Sequence, residues 1–258
     1  MGIFSFRKKK TGEVEMPFLE HLEELRKAIL LSIAAVAVFT IFGWVFSREL
    51  MNFLVRPIGK AVFLSPAEAF ATRFKLSIII GILVSLPYVS YKAWGFIVPG
   101  LLENERALLF PLVVLSTVLF LLGVLFGYLA LVPIIVKVLI GFGGPSVTPM
   151  ISVSNYLGFV MRLCLAAAIL FQLPIVASTL TWFGILSPRF LMEKWRYAIV
   201  IIFILGAVLT PGGDVISQIA MVIPILILYG ISIAFSGFVW ARKRKTALAP
   251  NASQEGLR

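Results

Sequence analysis

Six long apolar runs, bounded by charged or helix-breaking residues, constrain what this 258-residue chain can become. They extend over about 28–46, 76–98, 107–132, 157–183, 197–209 and 215–240. A helix needs roughly 20 apolar residues to cross about 30 Å of hydrocarbon, and five of the six runs are of that length. Only 14% of residues are charged, 60% are hydrophobic, and the mean hydropathy is +1.03. A soluble domain carries about 25% charged residues, so a water-facing surface is out of reach here. The expected fold class is an all-α polytopic membrane protein with six transmembrane helices, a short fifth and a long sixth span.

The remaining segments divide the chain into a cytoplasmic tail (1–16), a six-span membrane domain (17–240) and a basic tail (241–258). Within the lead-in to the first run, Phe18, Leu22, Leu25 and Ile29 recur at helical spacing, which predicts an amphipathic helix continuous with the span. Glu23 and Lys27 are i,i+4 partners on it. Residues 47–75 and 133–156 are expected as long, structured loops on the periplasmic face. Pro57, Pro66, Pro145 and Pro149 act there as breakers.

Charge orients the bundle. Of the 23 Lys and Arg, sixteen fall in the segments on the side of the two termini and seven on the other. That bias predicts both termini in the cytoplasm and a multi-pass protein of the cytoplasmic (inner) membrane. The 47–75 segment runs against it, holding Arg48, Arg56, Lys60, Arg73 and Lys75. The net charge of +11 is thereby a topology signal. No basic stripe interleaved with aromatics is present, so nucleic acid is not an expected partner.

The fifth run is 13 residues, roughly 20 Å of helix, which falls short of the hydrocarbon thickness. It is either a short span with local bilayer thinning or shielded ends, or a kinked core helix.

Catalytic and metal chemistry have little to work with. The chain has one His, His21, and one Cys, Cys164, and neither a catalytic set nor a metal-ligand cluster follows from them; no cofactor is expected. The six runs contain no Asp, Glu or His in their cores, where an ion-coupled transporter needs ionisable groups. A secondary transporter and a membrane-embedded enzyme are thereby disfavoured. Nine of the twelve acidic residues lie on the cytoplasmic side, gathered before the first span and in the 99–106 loop. They form either a solvated, charge-balanced face or a carboxylate surface that receives a cationic peptide, for which guanidinium forks are the matching partner.

At these residues a family resemblance emerges. The segment Phe18 to Lys27 (FLEHLEELRK) resembles the amino-terminal signature of the TatC family, the receptor subunit of twin-arginine protein export. Further matches follow in order: Val55 to Pro57, Ser65 to Phe70 with Lys75-Leu76, and Pro87 to Leu101 with Glu105-Arg106. Phe120 to Pro133, Leu209 to Pro211 with Asp214, and Ser217-Gln218 complete them. The resemblance implies a non-enzymatic receptor binding the twin-arginine signal peptides of folded cargo. Its partners are single-span TatA/TatB-type proteins, other TatC copies and the bilayer, and the proton motive force drives transport. On this resemblance Glu24 and Glu105 read the paired arginines. Arg26 and Arg106 hold those carboxylates or contact the peptide, and Phe96 lines the signal-peptide groove. Gln218 contacts partner helices, and Pro57, Phe70 and Asp214 shape assembly on the periplasmic face. Gln172 departs from the family, many members of which carry Glu there; as an amide it can still hydrogen-bond a partner helix. Gly212-Gly213 also replaces a more proline-rich turn.

Overall fold

The computed structural model describes residues 18–59, 61–97, 109–144, 149–209 and 215–255. Among these the regular structure is helical, joined by one isolated β-bridge. Helix α1 is Phe18–Val55, ending in a 3-10 turn at Arg56–Ile58, and α2 is Pro66–Ile97. Helix α3 (Leu109–Phe126) passes through a π-helical turn, Gly127–Leu131, into α4 (Val132–Gly141). Helices α5 (Val153–Leu170) and α6 (Leu173–Trp182) are separated by a bend at residues 171–172. A short α7 (Pro188–Glu193), α8 (Trp195–Leu209) and α9 (Val215–Glu255) follow.

Five stretches are long and apolar enough to cross a bilayer: His21–Ile58, Pro66–Ile97, Leu109–Gly141, Val153–Trp182 and Val215–Ala241. Helix α8, 15 residues long, reaches roughly 22 Å at 1.5 Å per residue and is shorter than the hydrocarbon.

The expected element types hold, but their ends move outward. The apolar run that stops at Phe46 is continued as helix to Val55, and α2 begins at Pro66. The segment expected as a 47–75 loop is thus mostly helix, with a short connection near 59–65. Charges such as Arg48 and Glu49 end an apolar run without ending a helix, because both are good helix formers. Residues 133–141 are likewise helical. Pro133 is tolerated because it stands in the first turn of α4, directly after the π turn, where its missing N–H costs little. The helix of α9 runs on to Glu255, into the segment expected as a tail.

Packing follows from small residues. The hairpin of α1 and α2 is antiparallel, and a Cβ at Gly81 would run into Thr40 Oγ1 and lie 2.8 Å from the Val36 carbonyl. Gly123 on α3 and Gly127 at the start of the π turn are four apart and meet α5 backbone to backbone: added Cβ atoms would stand 2.6 Å from Ala168 Cα and 2.8 Å from Cys164 Cα. In lipid, where apolar contact alone does not drive association, such close approach supplies the packing. Helix α5 supplies much of the core: Leu157, Val160 and Leu163 are buried in one cluster with Leu131, Val132, Ile135, Met221 and Val222.

At one end of the bundle the connections are tied into a cap. Val62 donates to the Ile151 carbonyl and receives from Val153, both at 3.0 Å. Glu68, in the first turn of α2, accepts from Leu64 N at 2.6 Å, from Ser154 N at 2.9 Å and from the Ser152 hydroxyl. The last turn of α1 is closed by two tyrosines: Tyr128 donates to the Phe53 carbonyl (2.8 Å) and Tyr156 to that of Leu54 (3.1 Å). These are among the carbonyls a helix end leaves unpartnered.

Gly123→Leu is expected to cost about 1–3 kcal/mol through overpacking against Ala168, read as a lowered thermal unfolding midpoint in detergent. Glu68→Ala strands three donors and should expose the 59–65 connection to earlier proteolytic cleavage than in the parent.

Candidate functional site

Helix α1 places its acidic residues by angle. Consecutive residues on a helix stand about 100° apart, so Glu23 and Glu24 face different neighbours. Glu23 pairs with Lys27 at 3.0 Å on an exposed face. Glu24 lies on the same side of α1 as His21, one turn on, and its Oε2 is 4.0 Å from His21 Nδ1. That separation is outside hydrogen-bond range and becomes an ion pair only when the imidazole is protonated. No Lys or Arg pairs with Glu24 among the described residues. The carboxylate is part-exposed, with a relative side-chain exposure of 41%, and open to an incoming cation.

The neighbouring wall is aromatic. The His21 ring lies flat on Phe96, with centroids 4.2 Å apart and planes 13° from parallel. This stack joins the first turns of α1 to the last turn of α2 and brings Phe96 within a turn of Glu24. One turn back along α2, the Lys92 ammonium lies over Tyr88 (5.4 Å) and Tyr91 (5.8 Å). Arg26 is exposed and, two positions from Glu24, faces elsewhere on the helix; it forms no ion pair with that carboxylate. Glu105 and Arg106 lie outside the described residues.

The other expected residues fall at three separate places. Gln172 sits at the bend between α5 and α6, and its side-chain amide donates to the Ser116 carbonyl at 3.1 Å. The Ser116 hydroxyl in turn receives the Trp94 indole N–H at 2.7 Å. Gln172 is therefore engaged within the chain, tying the bend to α3, while Trp94 ties α2 to the same serine. Gln218, on α9, donates to the Phe203 carbonyl of α8 at 2.9 Å. It lines a shallow cleft of about 310 Å³ with Ile199, Val200, Phe203, Ile204 and Ala207. At the opposite end from Glu24, Pro57 lies in the 3-10 turn. Phe70 there is exposed, with its ring 5.6 Å from Trp44, which also lies under the Arg73 guanidinium (4.7 Å). Asp214 lies outside the described residues.

His21, Trp94, Ser116 and Glu68 escaped the sequence reading as site components. A single histidine suggests no metal or catalytic set, and a stack on a residue 75 positions away leaves no local mark. Among the described residues no three His, Cys, Asp or Glu side chains come together to hold a metal.

The chain is similar to known proteins over most of its length. Residues 20–224 match the family model described as Sec-independent protein translocase protein (TatC). Among curated relatives, the Sec-independent protein translocase protein TatC of Carboxydothermus hydrogenoformans is 36% identical over 228 residues, covering 87% of this chain and 94% of that protein. That of Aquifex aeolicus is 37% identical over 238 residues, covering 89% and 98%. A crystal structure described as the twin arginine translocase receptor TatC superposes with a TM-score of 0.76 at 36% identity, covering 85% of this chain and 99% of that one.

Gln172→Leu should remove the side-chain bond that ties the bend to the Ser116 carbonyl of α3 and lower stability by about 0.5–1.5 kcal/mol. Thermal unfolding in detergent checks this, with Trp94→Phe expected to act in the same direction.

Proposed function

The chain belongs to the TatC family of Sec-independent protein translocase proteins, and from that premise we propose that it is the receptor for twin-arginine signal peptides, read at the end of the bundle that carries Glu24. As a family member it is a multi-pass membrane component of protein export and not an enzyme. The observation that carries the finer reading is the Glu24 carboxylate, unpaired with Lys or Arg among the described residues and set beside the His21–Phe96 stack.

The physical case is one of matched geometry. A guanidinium presents its N–H donors in a planar fork that fits a carboxylate, whereas an ammonium binds as a point charge. A charge-assisted hydrogen bond contributes about 1.5–3 kcal/mol, and partial desolvation at the membrane edge strengthens it. Glu24 reads one arginine and Glu105 the other, with Arg26 and Arg106 contacting the polar part of the peptide. Phe96 opens the apolar path along which the hydrophobic stretch of the signal peptide lies.

This reading puts both termini in the cytoplasm, as the sixteen-to-seven distribution of Lys and Arg favours, and counts α8 as a short fifth of six spans. The α8–α9 cleft beside Gln218 receives the single helix of a TatA/TatB-type partner. Gln172 adds to such contacts only through the shape of the bend it holds. Pro57, Phe70 and Asp214 at the periplasmic end shape contact with other copies of the chain. Transport is driven by the proton motive force acting on the assembled complex.

Photocrosslinking probes at positions 24 and 105, offered a signal peptide carrying Arg-Arg or Lys-Lys, test the site directly. Crosslinks that fade with Lys-Lys are the expected result; their absence at both positions in a folded protein rules out the acidic edge as receptor. Glu24→Gln should weaken Arg-Arg peptide binding about tenfold while leaving the unfolding temperature unchanged, since the side chain is part-exposed.

A further inference from the structure

At the end of the bundle opposite Glu24, an apolar groove of about 380 Å³ runs between α1, α2, α3 and α5. Phe53, Leu83, Phe120, Leu121, Leu125 and Met161 contribute to its walls. From Tyr128 to Phe120 it follows eight residues of helix, roughly 12 Å along the bundle. Its sole hydroxyl, on Tyr128, is already given to the Phe53 carbonyl, so the groove offers water nothing to bind. The rings of Phe53 and Tyr128 close one end, 4.9 Å apart, and the Arg56 guanidinium stands over the Phe53 ring at 5.5 Å.

The charge at this end is lopsided. Within residues 47–75, Arg48, Arg56, Lys60, Arg73 and Lys75 are set against two carboxylates, Glu49 and Glu68. Glu68 is committed to Leu64, Ser152 and Ser154. Arg73 is turned onto Trp44 and Ser47. Arg56 is exposed and pairs with no carboxylate among the described residues. These cations are also the exception to the positive-inside pattern, which translocation of peptide recognition to the other face does not explain.

We propose that this groove is a binding site for an anionic phospholipid, one acyl chain lying in the groove and the phosphate held by Arg56. An unbranched chain fits a long, dry, apolar slot that opens within the membrane. The guanidinium fork at its mouth matches two phosphate oxygens, as basic pockets between transmembrane helices do elsewhere. A neutral headgroup loses the charge-assisted contact and keeps only the chain.

The test uses the full chain purified in a neutral detergent and offered equal amounts of phosphatidylglycerol and phosphatidylcholine with identical acyl chains. Native mass spectrometry reads the lipid retained. The parent protein is expected to keep phosphatidylglycerol about tenfold over phosphatidylcholine, the ratio that one charge-assisted contact supports. Arg56→Gln should abolish the preference, and Leu121→Trp, which fills the groove from a part-exposed wall position, should abolish retention of both lipids. Equal retention of the two lipids by the parent overturns the proposal, as does a preference that survives in Arg56→Gln. Retention by Leu121→Trp at the parent level does the same. Displacement by excess glycerol phosphate would show that the headgroup binds without the chain, and displacement by an apolar helical peptide would give the groove to a peptide; either result also overturns it.

Discussion

Hydrocarbon offers backbone N–H and C=O groups no hydrogen-bonding partner, so every place where a helix is interrupted at membrane depth must be made good from within the chain. The architecture depends on how this is done at two interruptions. Between α3 and α4 the chain does not break. It widens into the π turn Gly127–Leu131, which keeps the backbone hydrogen-bonded while admitting Pro133 just beyond. Between α5 and α6 the chain bends, and the Gln172 carbonyl accepts from both Ile175 and Val176. The side-chain amide of the same residue reaches across to Ser116. One residue thus restarts the helix ladder and fixes the direction in which it restarts.

The same requirement explains the tyrosines. Helix α1 ends while still packed against α5, where its last carbonyls would be stranded, and Tyr128 and Tyr156 reach two of them. Glu68 satisfies donors from the 64 and 152–154 segments in the same region. Polar chemistry in this protein is thereby concentrated at helix ends and bends, and the long helical faces between them are left to contacts of Gly, Ala and Ser with neighbouring backbones. Helix α1, packed mainly on α2, runs the full depth of the bundle and contributes to both ends: Glu24 and His21 at one, Arg56 at the other.

The candidate site was half legible in advance. The acidic run Glu20, Glu23 and Glu24 announces a negative edge, but which acid is available is a matter of helix angle. Lys27 stands four residues from Glu23 and takes it, and Glu24 is left beside His21 with no Lys or Arg paired to it among the described residues. Arg26 is near Glu24 in sequence but does not pair with it, because residues two apart on a helix diverge. Phe96 was expected at the site through family resemblance alone. Its stacking on His21 gives that expectation a physical partner, drawn from a residue that sequence patterns had no reason to single out.

What the sequence by itself determined is what hydropathy and charge determine: an all-helical membrane chain, the position of its apolar runs, the shortness of the 197–209 run, and two ends of unequal charge. These are one-dimensional properties, because transfer into a bilayer depends on the residues of one segment at a time. What only the tertiary structure decided was where helices stop and which side chains meet. An apolar run ends where charge begins, while a helix ends where its hydrogen bonds find no partner. Thus α1 and α2 extend well past the expected boundaries. Gln172 with Ser116, His21 with Phe96, and Tyr128 with the Phe53 carbonyl depend on helices approaching at distances set by glycines elsewhere. No local pattern encodes those meetings, because each is the product of two or more helices packing at once.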